Sequence, residues 1–178
     1  MKTRKVSAHY IFPGNKPFLR YGILEFDEYG EIIRLSDTGG KLEESAGLEF
    51  YNGIIVPGFI VANLHEELSA LSVNNNPDPV ERQRIFGQFN TLNNNLIKSI
   101  EDTKKVIKLI YAIQELYPSF RLEELLAMFT SKSAIALGIE NKYGSFAKGM
   151  KPGINVLLNP DLQNLKIKEE NRFIHLAP

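Results

Sequence analysis

Residues 57–69, Pro57-Gly58-Phe59-Ile60-Val61-Ala62-Asn63-Leu64-His65-Glu66-Glu67-Leu68-Ser69, mark the point at which the chain changes character. Before them the texture is that of strands: short runs rich in branched and aromatic side chains, separated by turn residues. Residues 6–12 read as a first strand, ended by Pro13-Gly14-Asn15. Residues 21–26 and 31–35 read as a hairpin around Glu28-Tyr29-Gly30, where the glycine supplies the positive φ of a tight turn. Residues 48–51 and 53–56 read as a further strand pair, closed by Pro57-Gly58.

Beyond residue 69 the pattern becomes helical. Asn74-Asn75-Asn76-Pro77-Asp78-Pro79 cannot continue a strand smoothly, and Asp78 is suited to cap a helix that begins at Pro79. Ile85, Phe89, Leu92, Leu96, Ile100, Val106, Ile110, Ile113 and Tyr117 then recur mostly at three- and four-residue steps, an apolar helical stripe. Asn93-Asn94-Asn95 is its weak point, and Pro118-Ser119 ends it. A shorter amphipathic helix is expected over residues 122–137, with Gly138 as its C-terminal cap. Strand character returns at residues 154–158, 165–168 and 172–176. Strands, helices, strands is an order in which the two ends complete one sheet or sandwich, because each alone would leave an apolar face bare.

A chain of 178 residues supports one domain with a real core, and is short of the roughly 250 residues of an eight-stranded α/β barrel. Its 21 basic and 21 acidic side chains cancel, and no basic patch is interleaved with aromatics, so neither nucleic acid nor an anionic membrane is expected as a partner. The absence of cysteine excludes disulfides, thiolate metal sites and a cysteine nucleophile. The start carries no apolar signal core and no run has the length of a membrane span, which makes a cytoplasmic location the expectation.

Residues 57–69 resemble the amidohydrolase superfamily of metal-dependent hydrolases and deaminases. There a run close to Pro-Gly-Phe-Ile/Val-Asn-x-His-x-His ends the first barrel strand, and purine-type deaminases continue with Glu-Leu-Ser. Alternate strand residues point the same way, so such a pair aims two imidazoles at one ion. Here Asn63 stands at the first position and only His65 remains; an amide is a poor ligand for a transition metal beside neutral imidazole. Leu122-Glu123-Glu124-Leu125-Leu126-Ala127-Met128-Phe129-Thr130 and Ser133-Ala134-Ile135-Ala136-Leu137-Gly138-Ile139 resemble the family's last helices. Residues 144–156 resemble the segment that leads from its barrel back to the small β-domain. Two departures stand out: Ser131-Lys132-Ser133 replaces an Asn-Gly, and Gly153-Ile154-Asn155 takes the place of Ala-Asp.

The resemblance covers residues 4–69 and 105–158. It implies an α+β protein: a composite β-sandwich from residues 1–60 and 140–178, with a helical insert at 61–139 in place of a TIM barrel. It also implies that the remaining metal ligands went with the barrel. The inventory agrees. The chain has three histidines, His9, His65 and His175, in three separate elements. One imidazole with Glu67 on the same face is too few for the three protein ligands of a catalytic zinc. Ser69 prevents a His-Glu-x-x-His reading, and beside His65 it lacks an orienting acid and oxyanion donors. Residues 144–153 lack phosphate-loop spacing, so Lys148 and Lys151 read as solvated turn residues, and Lys104, Lys105 and Lys108 as the wet face of a helix.

The expectation is therefore a catalytically inactive amidohydrolase-like protein, with Asn63 and His65 as the vestige of a metal site and no cofactor. It would act in binding or assembly, on a small molecule or partner that the sequence does not specify. Apolar surface once covered by a barrel needs a new cover, which points to a homodimer through the helices. Two alternatives stand beside it. One is a metal-dependent hydrolase or deaminase of non-peptide C–N bonds, with zinc held partly by a second chain. The other is a shortened relic without selected function.

Overall fold

The computed structural model describes residues 2–42, 44–63, 66, 80, 83, 87, 92 and 95–177. In chain order the strands are β1 (Thr3–Ile11), β2 (Leu19–Arg20), β3 (Ile23–Asp27), β4 (Ile32–Ser36), β5 (Leu48–Pro57), β6 (Ile60–Val61) and β7 (Asn95–Leu96). Three helical segments follow, α1 (Ile100–Leu116), α2 (Leu122–Ala127) and α3 (Ser133–Ala136), and then β8 (Ile154–Leu158) and β9 (Arg172–Ala177). One mixed sheet runs β4-β3-β1-β5-β8-β9, with β2 paired to an end of β1. Both ends of the chain thus meet in it, through the antiparallel seam from Gly53↔Leu158 to Pro57↔Ile154. The fold is α+β, a mixed sheet with a helical insert and, among the described residues, no barrel.

The centre of the sheet is the parallel pair β1–β5. It is covered on both faces, which explains the unbroken apolar run Ile54-Ile55-Val56. Alternation sends Ile54, Val56 and Leu157 to a core shared with α1 and α2. Ile55, Ile154 and Val156 face a second core with Val6, Leu24 and Phe26. Ile32 of β4 exchanges backbone hydrogen bonds with Gly149 and Met150, both at 2.8 Å, just before β8 begins. Phe146, from the same segment, is buried in the second core.

Three elements differ from the sequence reading. Residues 48–51 and 53–56 form one strand, β5, and not a pair. Gly53 marks a close approach within it: a Cβ there would lie 2.0 Å from the Leu157 carbonyl oxygen of β8. The helical stripe is interrupted at Asn95–Leu96, which pairs with β6 as Ile60↔Leu96 and Val61↔Asn95. Ser99 then caps α1 afresh, its Oγ accepting the Asp102 N–H at 3.0 Å, with Glu101 and Asp102 in the first turn where the helix dipole favours acids. Ile85 and Phe89 lie outside the described residues. Finally, residues 165–168 are not a regular strand; the Ile167 N–H is held by the buried Gln114 Oε1 of α1 at 2.9 Å.

α1 buries Val106, Ile107, Leu109, Ile110 and Ile113 within the chain, while Ile100, at its start, is exposed. The second predicted helix is continuous in its helical course from α2 to α3, through a π-helical turn at Met128–Lys132. Gly138 closes it at φ 67°, with the Gly138 N–H on the Ile135 carbonyl and the Ile139 N–H on the Ala134 carbonyl, both at 3.0 Å. Among the described residues no helix is long and apolar enough to cross a membrane.

Candidate functional site

Of the two positions of the metal motif, Asn63 is among the described residues and His65 is not. Asn63 follows β6 after one residue, with φ 49°, and its carbonyl accepts the Glu66 N–H at 3.0 Å. The chain turns there, and asparagine is one of the few side chains that tolerate this left-handed backbone. Alternation along an extended strand therefore does not apply at Asn63. His65, Glu67 and Ser69 lie outside the described residues.

The other two histidines belong to the sheet. His9 on β1 packs edge-on to Phe50, with ring centroids 5.3 Å apart, and close to Tyr21 at 6.0 Å. His175 on β9 packs edge-on to Phe173 at 5.2 Å, and partial desolvation lowers its pKa from the ordinary histidine value. β5 and β8 lie between their strands, so these two imidazoles cannot share one ion, whose bonds to nitrogen are about 2.0–2.1 Å. Among the described residues no group of three or more His, Asp or Glu is placed to hold a metal. The donors among the described residues therefore do not make up a zinc site, and His65 and Glu67 are not among them.

A different site is built where the motif leaves the sheet. The Gly58 N–H donates to the carbonyls of both Pro152 and Gly153, at 3.1 and 3.0 Å. Only glycine permits this clamp, since a Cβ at position 58 would lie 2.4 Å from the Pro152 oxygen. Next to it the Ile97 N–H donates to the Phe59 carbonyl at 2.9 Å, which brings the β7 exit across the mouth of the sheet. The result is a cavity of about 530 Å³. Its walls are Phe59, Leu96 and Ile97 on the insert side and Pro152 and Gly153 opposite, with Lys98, Tyr143, Lys151 and His175 also lining it.

Asn155 of β8 lines the same cavity. It is paired with Val56 of β5 and with His175 of β9, and it is 0% exposed. Neither its Nδ2 nor its Oδ1 has a hydrogen-bond partner among the described residues. An amide buried in this way costs about 1–3 kcal/mol relative to one that is paired. Such groups are exceptions in folded proteins. Sequence reasoning noted Asn155 only as a departure from Ala-Asp and placed His175 in the sandwich. Both are in the sheet, but the sequence did not show that they are cross-strand neighbours at a cavity. The one available signal was a lone polar residue in the run Ile154-Asn155-Val156-Leu157-Leu158.

No protein-family model matches the chain, and no curated protein matches it. Solved structures do. A crystal structure from Bifidobacterium longum, described as a possible prolidase, matches with a TM-score of 0.53 at 11% identity, over 99% of this chain and 93% of that one. An N-acetyl-D-glucosamine-6-phosphate deacetylase from Mycobacterium smegmatis matches at 15% identity and a TM-score of 0.28, over 65% of this chain and 29% of that one. A guanine deaminase from C. acetobutylicum matches at 11% identity and 0.26, over 66% and 26%. The chain spans under a third of the deacetylase and the deaminase, and nearly all of the Bifidobacterium protein. At 11% identity the likeness to the Bifidobacterium structure is one of fold.

Proposed function

We propose that this chain is a non-catalytic, amidohydrolase-like binding protein whose binding site is the cavity at Asn155. The observation that carries this reading is the buried Asn155 amide at a cavity wall, without a hydrogen-bond partner among the described residues. Support also comes from Asn63, which occupies a turn where the catalytic relatives of the motif would need an extended pair of imidazoles. The Bifidobacterium structure, a chain of nearly equal length with a like fold, favours a short form that stands as a fold in its own right over a relic.

The test is ligand-observed NMR with a library of small polar fragments, run on the wild type and on Asn155→Leu. A set of fragments should bind the wild type and lose their signal with the variant. Hits that all survive the substitution would move the binding site elsewhere. The competing reading, a metal-dependent hydrolase of C–N bonds, draws on the names of the structural neighbours. Stoichiometric zinc in the purified protein, together with amide turnover that a chelator removes, would put that reading in place of ours.

A further inference from the structure

With the Asn155 cavity as the binding site, a reading on which this step rests, its walls set the chemistry of the occupant. The Asn155 amide has an acceptor, Oδ1, and a donor, Nδ2, side by side, and neither is used among the described residues. An occupant that satisfies both must place a donor next to an acceptor. A bare carboxylate brings acceptors only. Around the opening, Lys98 and Lys151 contribute two ammonium groups. Glu31 lies 3.5 Å from Lys151 Nζ, so among the described residues two positive charges stand against one negative at the mouth. Phe59, Leu96, Ile97 and Pro152 give the remaining lining an apolar character. His175, neutral at pH 7 because partial desolvation lowers its pKa, can donate or accept there.

We infer that the cavity takes a small carboxylate that carries an O–H or N–H donor beside its acid group and an apolar body. The donor and one carboxylate oxygen satisfy Asn155, the acid's charge is met by Lys98, and the apolar body lies against Phe59 and Ile97. A neutral amide would satisfy Asn155 but forgo the lysines. A simple fatty or aryl acid would meet the lysines but leave Oδ1 bare.

Isothermal titration calorimetry with three matched probes tests this: 3-phenyllactate, 3-phenylpropionate without the donor, and 3-phenyllactamide without the charge. On the wild-type protein, phenyllactate is expected to bind about tenfold tighter than either of the others, the worth of one hydrogen bond or screened ion pair. Asn155→Leu should erase its advantage over phenylpropionate, and Lys98→Met its advantage over phenyllactamide. The wild-type comparison decides by itself, whatever the fate of the variants. Phenylpropionate or phenyllactamide binding as tightly as phenyllactate overturns the ligand class, as does the failure of all three to bind at millimolar concentration. If in either case other fragments still lose binding in Asn155→Leu, the site survives without this ligand class. Probe binding that Asn155→Leu leaves untouched removes the site as well.

Discussion

The β3–β4 hairpin and the mouth at β8–β9 each bury one polar side chain, and the two regions treat it in opposite ways. At the hairpin Asp27 is 3% exposed, and its Oδ1 accepts the N–H groups of Tyr29 and Glu31, both at 2.8 Å. The turn is further closed by the Gly30 N–H on the Asp27 carbonyl at 3.1 Å, with Gly30 at φ 77°. At the mouth Asn155 is 0% exposed and its amide is unpaired among the described residues. A buried group that the fold satisfies is part of the turn's construction. A buried group that the fold leaves unsatisfied lowers stability and is better explained by something outside the chain that uses it.

The mouth depends on one close backbone approach, and breaking it should have the largest effect. Gly58→Ala sets a Cβ against the Pro152 carbonyl and should cost about 3 kcal/mol by urea unfolding, the upper range for forced overpacking. Hydrogen exchange should show loosened amides at residues 153–155 and unchanged protection at the hairpin. Equal loosening at both would mean that the two regions are one cooperative unit and not separable.

Substituting the two polar residues themselves sharpens the contrast. Asp27→Ala leaves two turn N–H groups without their acceptor and should destabilise by about 2 kcal/mol. Asn155→Leu, of similar volume, removes an unsatisfied amide and should be neutral or stabilising by about 1 kcal/mol. Paired denaturation curves would contradict this account if the Asn155 variant lost as much stability as the Asp27 variant.

The same contrast explains what the sequence revealed. The hairpin was legible because its determinants are local: Asp27, Tyr29 and Gly30 lie within four positions, and each names its own turn role. The helix end at Gly138 was legible for the same reason. The mouth was not, because Phe59, Lys98, Asn155 and His175 are brought together only by the seam between β5 and β8 and by the β6–β7 pairing. The break read between residues 51 and 53 erred in the other direction: the strand runs through, and Gly53 within it admits a neighbouring strand's carbonyl. At residue 99, serine with an aspartate three positions on is a helix-start signal, but the apolar stripe running through Leu96 overrode it.

One ion pair ties the two regions together, Lys151 of the mouth to Glu31 of the hairpin at 3.5 Å, with the lysine also 5.6 Å from the Tyr29 ring centroid. Both charged side chains are about half exposed, at 50% and 45%, so the pair should contribute little. Glu31→Gln is expected to cost under about 0.5 kcal/mol, and less at high salt. Unfolding curves at low and high ionic strength check this; a cost well above 1 kcal/mol would show that the hairpin props the mouth open.

The smallest effect expected is also the most local report on the mouth. Partial desolvation lowers the His175 pKa in the folded protein, so folding favours the neutral imidazole. The sign follows from proton counting: below the ordinary value of 6.5 the unfolded chain binds the extra proton first, so stability from this group is present above that value. It is lost as the pH falls through the lowered folded value. An NMR titration of the His175 ring protons should therefore inflect below 6.5 in the free protein. Adding phenyllactate should move that inflection upward, because a carboxylate beside the ring favours imidazolium, and by reciprocity acid should tighten the ligand. An inflection at or above 6.5 in the free protein would mean that water reaches His175 freely and that the mouth is less enclosed than its walls indicate.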